Sequence, residues 1–218
     1  MKKGIFVSGT DTGVGKTVVS ALIVAAGNAQ GHTTGYFKPV QTGSDESGDT
    51  GMVTGLTGIK SVRPVYKFKK PAAPSIAAQA EGASIDIGFI RRKWDELPTC
   101  RWVVEGAGGL LTPLSDTVTM RDLIRILNLP LVVVASTRLG MINHTLLTLE
   151  AAARDSLKIA GVILTGPQDK EAIRVLSDFT RVPVLAHIPV MEVNHSSVAN
   201  YAKEYFPMRV LGEMFDPN

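Results

Sequence analysis

The chain has 218 residues, 44% of them hydrophobic, enough to bury one sizeable core. Lys and Arg number 23 against 20 Asp and Glu, leaving a net charge of +3, and the basic residues are scattered with no run longer than Arg91 to Lys93, so a nucleic-acid surface is not expected. The single Cys100 excludes an internal disulfide and a cysteine-rich metal site, and points to a reducing compartment.

The chain opens with "MKKGIFVSGT", two lysines and an apolar run of strand length. That run is too short for a signal-peptide core or a membrane span, so the expectation is a cytoplasmic location with no membrane partner. "IFVSG" reads as a buried strand and leads into "GTDTGVGKT", from Gly9 to Thr17, after which "KTVVSALIVAA" starts a helix. The usual phosphate-cradling pattern places two glycines four residues apart before Lys and Ser or Thr. Here five residues separate Gly9 from Gly15, and Thr10 stands where the strict pattern has its first glycine. The context is strand, glycine-rich loop, helix N-terminus. In it the backbone N–H groups of Gly13, Val14, Gly15 and Lys16 point into the loop, and the helix dipole favours phosphate oxygens. Lys16 would bridge the β- and γ-phosphates, and the Thr17 hydroxyl would ligate Mg2+. Asp11 is read as orienting the loop.

"TTGYFK" reads as the second strand, and Pro39 holds Lys38 extended at its end, on the ligand side of the sheet. On position alone an exposed lysine is the commoner reading of Lys38. Thr42 places a hydroxyl nearby. Residues 40–58, "VQTGSDESGDTGMVTGLTG", read as a long loop with one short helix; Asp49 lies here, but Asp45 and Glu46 are equally acidic neighbours. Arg91 to Lys93, between Ile90 and Trp94, read as the solvated face of a helix.

"WVVEG" puts Glu105 directly after an apolar strand, where it is a metal-ligand candidate, the alternative being a carboxylate that caps a strand turn. Gly106, Ala107 and Gly108 then let backbone approach a ligand closely. "TMRDLIRILN" reads as a helix and "LPLVVVAS" as a strand. "STRLGMINHT" opens the helix "INHTLLTLEAAARDS", whose N-terminus can hold an anion, with His144 packing or capping locally. "IAGVILTG" and "VPVLAHIP" are two more strands. The alternation gives an α/β class: one domain over residues 1–218, a P-loop NTPase-like parallel sheet with helices on both faces. Histidines 32, 144, 187 and 195 show no paired metal spacing, and no Ser or Cys nucleophile motif occurs.

In this order, "GTDTGVGKT", "KPVQTG", "VEGAGG" and "RLGMINH" closely resemble the motifs of the dethiobiotin synthetases, with a match from about Gly4 to Met191. The five-residue gap before Gly-Lys-Thr is that family's own form of the loop. The resemblance implies ATP-dependent closure of a ureido ring on 7,8-diaminopelargonate with CO2, the penultimate step of biotin synthesis, through a carbamate and a carbamic-phosphoric anhydride. It implies Mg2+ and ATP, with other nucleoside triphosphates left open, and a homodimer whose sites are shared across the interface.

By the same resemblance Lys16 and Lys38 carry catalysis, Lys16 on the transferring phosphate and Lys38 on the carbamate oxygen, while Thr12 lines the carbamate site. Thr17, Asp49 and Glu105 match the Mg2+ ligands. The nucleotide contacts are Gly13, Val14, Gly15, Gly106, Ala107 and Gly108, with Thr165, Gly166, Pro189, Val190 and Met191 on the nucleoside side. Thr165 and Gly166 stand where the family often has Asn-Asp, which leaves base preference open, and Glu192 or Ser196 is a candidate for a late ribose contact. Thr42 contacts the substrate, and Leu139, Gly140, Met141, Ile142 and Asn143 bind its carboxylate from a neighbouring subunit. The rival is a partitioning or assembly ATPase of the same fold; that group carries an additional lysine early in the loop, and "SGTDT" has none.

Overall fold

The computed structural model describes residues 2–43 and 48–217. In chain order the elements are β1 (Lys3–Gly9), α1 (Lys16–Ala29), β2 (Thr34–Phe37), β3 (Val40–Gln41), α2 (Gly48–Thr57), β4 (Tyr66–Lys67), α3 (Pro74–Ala80), α4 (Ile87–Glu96) and β5 (Arg101–Gly109). There follow α5 (Met120–Leu127), β6 (Leu131–Ser136), α6 (Met141–Arg154), β7 (Ile159–Thr165), α7 (Lys170–Phe179), β8 (Val184–Ile188), α8 (Val198–Tyr205) and α9 (Met208–Phe215). All six strands read from the sequence form, and they join in one parallel sheet ordered β2-β5-β1-β6-β7-β8.

Strand alternation divides the core in two. Ile5 and Val7 of β1 and Val103 of β5 pack with Val19, Leu22 and Ile23 of α1 on one face, where α2, α8 and α9 add Val53, Ala202 and Leu211. Phe6, Trp102 and Val104 face the other way, against Trp94 of α4, Leu123 of α5, Leu149 of α6 and Leu176 of α7. Helix α1 is apolar nearly all round because α8 and α2 flank it as well as the sheet.

Helix starts in this chain are of two kinds, capped by side chains and uncapped. The Asp86 and Asp169 side chains accept from backbone N–H groups at the starts of α4 and α7, and Thr119 with Asp122 forms a capping box on α5. By contrast α1 starts after Gly15, in left-handed backbone at φ 90°, with no side-chain cap and no acidic residue in its first turn. Its first N–H groups are left for an outside acceptor. The strands supply β1's following loop at the point where the chain's strand order reverses, the ligand position of open parallel sheets.

One expectation changes. Strand β5 continues through Gly109, so Glu105 lies inside a strand rather than just after one, paired in register with Val7. The irregular stretch holds a ten-residue helix, α2, with Asp49 in its first turn. Asp45 and Glu46 lie outside the described residues. The solvated helix face at Arg91 to Lys93 is as read, with Arg91 paired to Asp95 and Lys93 to Glu96.

Candidate active site

Gly9 ends β1 because nothing larger fits: a Cβ there would sit 2.6 Å from the Asp11 carbonyl oxygen and 2.8 Å from Val14 Cγ2. The loop then turns back, Thr10 N–H donating to Val134 O at 2.9 Å and Thr12 N–H to Asp11 Oδ1 at 2.6 Å. Asp11 therefore shapes the loop, as its position suggested. Lys16 is buried, and its ammonium donates to the Asp11 carbonyl at 3.0 Å. Burial lowers the Lys16 pKa, partly offset by Glu105 and reinforced by Lys38.

Lys38, at the end of β2, is only 3% exposed, which overturns the reading of an exposed lysine. Its ammonium lies 2.5 Å from Asp49 Oδ2 and 2.8 Å from Glu105 Oε1, and 3.4 Å from the Gly106 carbonyl oxygen. Burial alone would depress the Lys38 pKa, but Glu105 and Asp49 outweigh it and hold the group above its ordinary value. For Asp49 burial pushes upward, and the Lys38 ammonium with hydrogen bonds from Lys38 and Thr17 pulls the carboxyl below its usual range. The Thr17 hydroxyl is 3.1 Å from both Asp49 Oδ1 and Glu105 Oε1.

Two neighbours that sequence reading missed complete this cluster. Tyr36, fully buried, donates its hydroxyl to Glu105 Oε2 at 2.9 Å, so one oxygen of that carboxylate is committed and the other faces Lys38 and Thr17. Burial and then Glu105 and Asp49 raise its pKa well above normal, keeping it a neutral donor. The signal was present, since Tyr36 is two residues before Lys38 on an extended segment and must share its face. Gln41 Oε1 accepts the Asp49 N–H at 3.1 Å and fixes the start of α2; its signal was its place inside the "KPVQTG" motif.

One hydroxyl and two carboxylates form an oxygen-only donor set suited to a hard divalent ion such as Mg2+. Among the described residues no group of three His, Cys, Asp or Glu could hold a metal alone, so water and phosphate oxygens would fill the remaining positions, as Mg2+ prefers. The residues present fit the ion.

The cluster forms the head of a cavity of about 810 Å³, which Thr12, Gly13, Gly15 and Lys16 border on one side and Thr42 and Pro71 to Pro74 on another. Ala107 and Gly108 also line it. Gly106 does not, because it is buried in the sheet where a Cβ would lie 2.8 Å from Phe6 Cε1. Val14 turns instead toward a second cavity of about 260 Å³ on the far side of the loop, shared with Asp11, Arg138, Leu139, Met141 and His144. There Gly140 begins α6 with φ 95° and no side-chain cap. Leu139 is fully exposed and Asn143 is exposed, while Ile142 packs against the core. The segment from Leu139 to Asn143, expected to bind the substrate carboxylate, is thus separate from the main cavity within one chain.

The residues expected on the nucleoside side, Thr165, Gly166, Pro189, Val190 and Met191, line neither cavity. Gly166 N–H donates to Ile188 O at 2.9 Å, the His187 ring lies 2.9 Å from the Gly166 carbonyl, and Thr165 turns its hydroxyl onto Val14 O at 2.7 Å. Pro189 and Val190 are exposed beyond β8, as are Glu192 and Ser196, and Met191 is half-buried.

Residues 3–196 match a family model described as an AAA domain. The chain is 40% identical over 186 residues to an ATP-dependent dethiobiotin synthetase of Agrobacterium fabrum, covering 84% of each. It is 35% identical over 220 residues to one of Rhodopseudomonas palustris, covering 98% of this chain and 99% of that one. A biotin biosynthesis bifunctional protein of Bordetella avium is 42% identical over 209 residues; the match spans 94% of this chain but 43% of that longer protein. Among solved structures, the septum site-determining protein MinD of Pyrococcus horikoshii, complexed with Mg-ADP, aligns over 99% of this chain and 93% of its own at TM-score 0.57 and 16% identity. The pNOB8 ParA protein bound to nonspecific DNA aligns over 98% and 97% at TM-score 0.64 and 12% identity. At such identities the likeness is one of fold.

Proposed function

The chain belongs to the dethiobiotin synthetase family, and from that premise we propose how its own residues perform the ATP-dependent ring closure. One amine of 7,8-diaminopelargonate adds to CO2 and loses a proton to give a carbamate. A carbamate oxygen attacks the terminal phosphorus of ATP, releasing ADP and forming a mixed anhydride. The second amine attacks the carbamate carbon, phosphate leaves, and the ureido ring closes. The substrate supplies both nucleophiles and ATP the leaving group, which accounts for the absence of a protein nucleophile motif.

What the protein supplies is positioning and charge. Lys16 exchanges the Asp11 carbonyl for phosphate oxygens. Lys38, kept cationic by its two carboxylates, faces the carbamate oxygen. Thr12 and Thr42 border the space for the diamine, and the uncapped start of α1 receives the phosphates. Mg2+, when bound by Thr17, Asp49 and Glu105, would neutralise charge on the phosphate oxygens. The observation that carries this reading is the convergence of Lys38, Asp49, Glu105 and Thr17 beside Lys16 at the head of one cavity.

The reading extends to one domain over residues 1–218 and to a cytoplasmic homodimer. The separation of Leu139 to Asn143 from the main cavity, with Leu139 fully exposed, supports their serving a second copy. Among the described residues no helix is long and apolar enough to cross a membrane. The fold of MinD and ParA keeps the partitioning ATPase as the rival.

One assay separates them. Diamine, labelled bicarbonate and Mg·ATP should give a labelled ring product, with nucleoside diphosphate release dependent on the diamine. Phosphate release equally fast without diamine would favour the rival. With CTP and GTP as competitors the same assay reads base preference, and a dilution series tests the shared site, because turnover per chain should fall as subunits separate; constant turnover in a demonstrated monomer removes it.

A further inference from the structure

We infer that Thr165 acts as a latch on the phosphate loop, a positioning residue that sets the Val14–Gly15 peptide rather than touching the nucleotide. Thr165 ends β7, 151 residues from Val14 in sequence, yet its hydroxyl donates to the Val14 carbonyl at 2.7 Å. A second acceptor, the Ala135 carbonyl, is farther at 3.4 Å. The methyl group is committed to the same loop: a Cβ on Gly15 would lie 3.3 Å from Thr165 Cγ2, so the methyl covers the α-carbon of that glycine. The base of the latch is itself held, because Thr137 N–H donates to the Thr165 carbonyl at 2.8 Å.

The consequence follows from peptide geometry. No peptide bond in the described residues is cis, and in a trans peptide the C=O and the following N–H point in opposite directions. Gly15 lines the main cavity and Thr165 does not. A Val14 carbonyl tied to Thr165 therefore turns away from the cavity, and the Gly15 N–H is directed toward it. Without the latch this peptide can rotate and present a carbonyl oxygen, an acceptor, to an anion. The left-handed φ of 90° at Gly15 leaves the backbone otherwise free to do so. Thr165 thus orients a donor for the phosphates while spending its only hydroxyl proton, which leaves it no proton to donate to a base. The inference rests on the reading that phosphates sit at this loop.

Three substitutions separate hydroxyl from methyl. T165V keeps the methyl and loses the donor, T165S keeps the donor and loses the methyl, and T165A loses both. Mg·ADP titrated calorimetrically should bind T165V roughly three- to tenfold more weakly than wild type, the size expected for one lost hydrogen bond. T165S should lie within about twofold of wild type and T165A at or beyond T165V. In T165V the thermal midpoint of the nucleotide-free protein should fall by no more than the few degrees expected for one lost hydrogen bond, and the KM for the diamine should stay at the wild-type value, which a general loss of structure would not allow. Wild-type affinity in T165V, or equal weakening in T165S and T165V, overturns the latch. Wild type that makes no ring product, with T165V still weakened toward Mg·ADP, would sink the proposed reaction and leave the latch standing.

Discussion

Replacing Lys38 by alanine should lower turnover by roughly 10²–10³-fold while Mg·ADP affinity stays within a few fold of wild type. The loss is large because the group is a buried, pre-positioned cation, only 3% exposed and held by Asp49 at 2.5 Å and Glu105 at 2.8 Å. Water that enters the vacated space does not restore a fixed positive charge on a developing oxyanion. Nucleotide affinity survives because Lys16 and the start of α1 remain. Lys38→Met, which keeps most of the volume, should behave like alanine and so separate charge from packing. Turnover within tenfold of wild type would remove Lys38 from its role, and an equal loss of Mg·ADP binding would reassign it to the nucleotide.

The same variant should lose about 3 kcal/mol of stability in metal-free buffer at neutral pH, since removing one member of a buried ion pair strands its partners. The sign of the pH dependence is set by Asp49, whose folded carboxyl lies below its ordinary value of 3.8, with burial opposing and Lys38 prevailing. A depressed carboxylate contributes stability above its unfolded pKa and loses it as pH falls through the folded one. The gap between wild type and variant should therefore narrow as pH drops toward and below 3.8. Urea unfolding over that range reads it, and a gap that widens in acid would contradict the pairing.

Glu105→Gln should raise the Mg2+ concentration needed for half-maximal activity by at least roughly 10–100-fold, with metal-free ADP binding unchanged or tighter. Lys16 and Lys38 balance Asp49 and Glu105 in the wild type; the substitution leaves one excess positive charge where a divalent cation must enter. Shape is nearly conserved, and the amide oxygen can still accept from Lys38 and Thr17, so the effect isolates charge. Calorimetric titrations of ADP with and without Mg2+ separate metal from nucleotide. Unchanged Mg2+ dependence with a lowered unfolding midpoint would make Glu105 only the neutraliser of Lys38.

Much of this site was legible in the chain because its parts are local. The strand "IFVSG", the loop to Gly15 and the Lys16-Thr17 helix start lie within 13 residues, and periodicity and glycine placement are local properties. The six strands show for the same reason, each an apolar run long enough to establish its pattern. β3 and β4, two residues each, are too short to carry a period, and α2 has only Val53 and Leu56 buried, a stripe sparse enough to announce a short helix but not to set its bounds.

By itself, then, the sequence determined the parallel α/β architecture, the phosphate loop and the family, because each depends on residues near one another in the chain. Only the tertiary structure decided the environment of Lys38, which depends on Asp49 and on Glu105, 67 residues away, arriving at the same point. The same holds for Tyr36 on Glu105 and for Thr165 on Val14, contacts across 69 and 151 residues. The physical reason is that burial and pairing belong to the packed sheet: an isolated lysine beside a proline prefers water, and its burial becomes favourable only where two carboxylates converge on it.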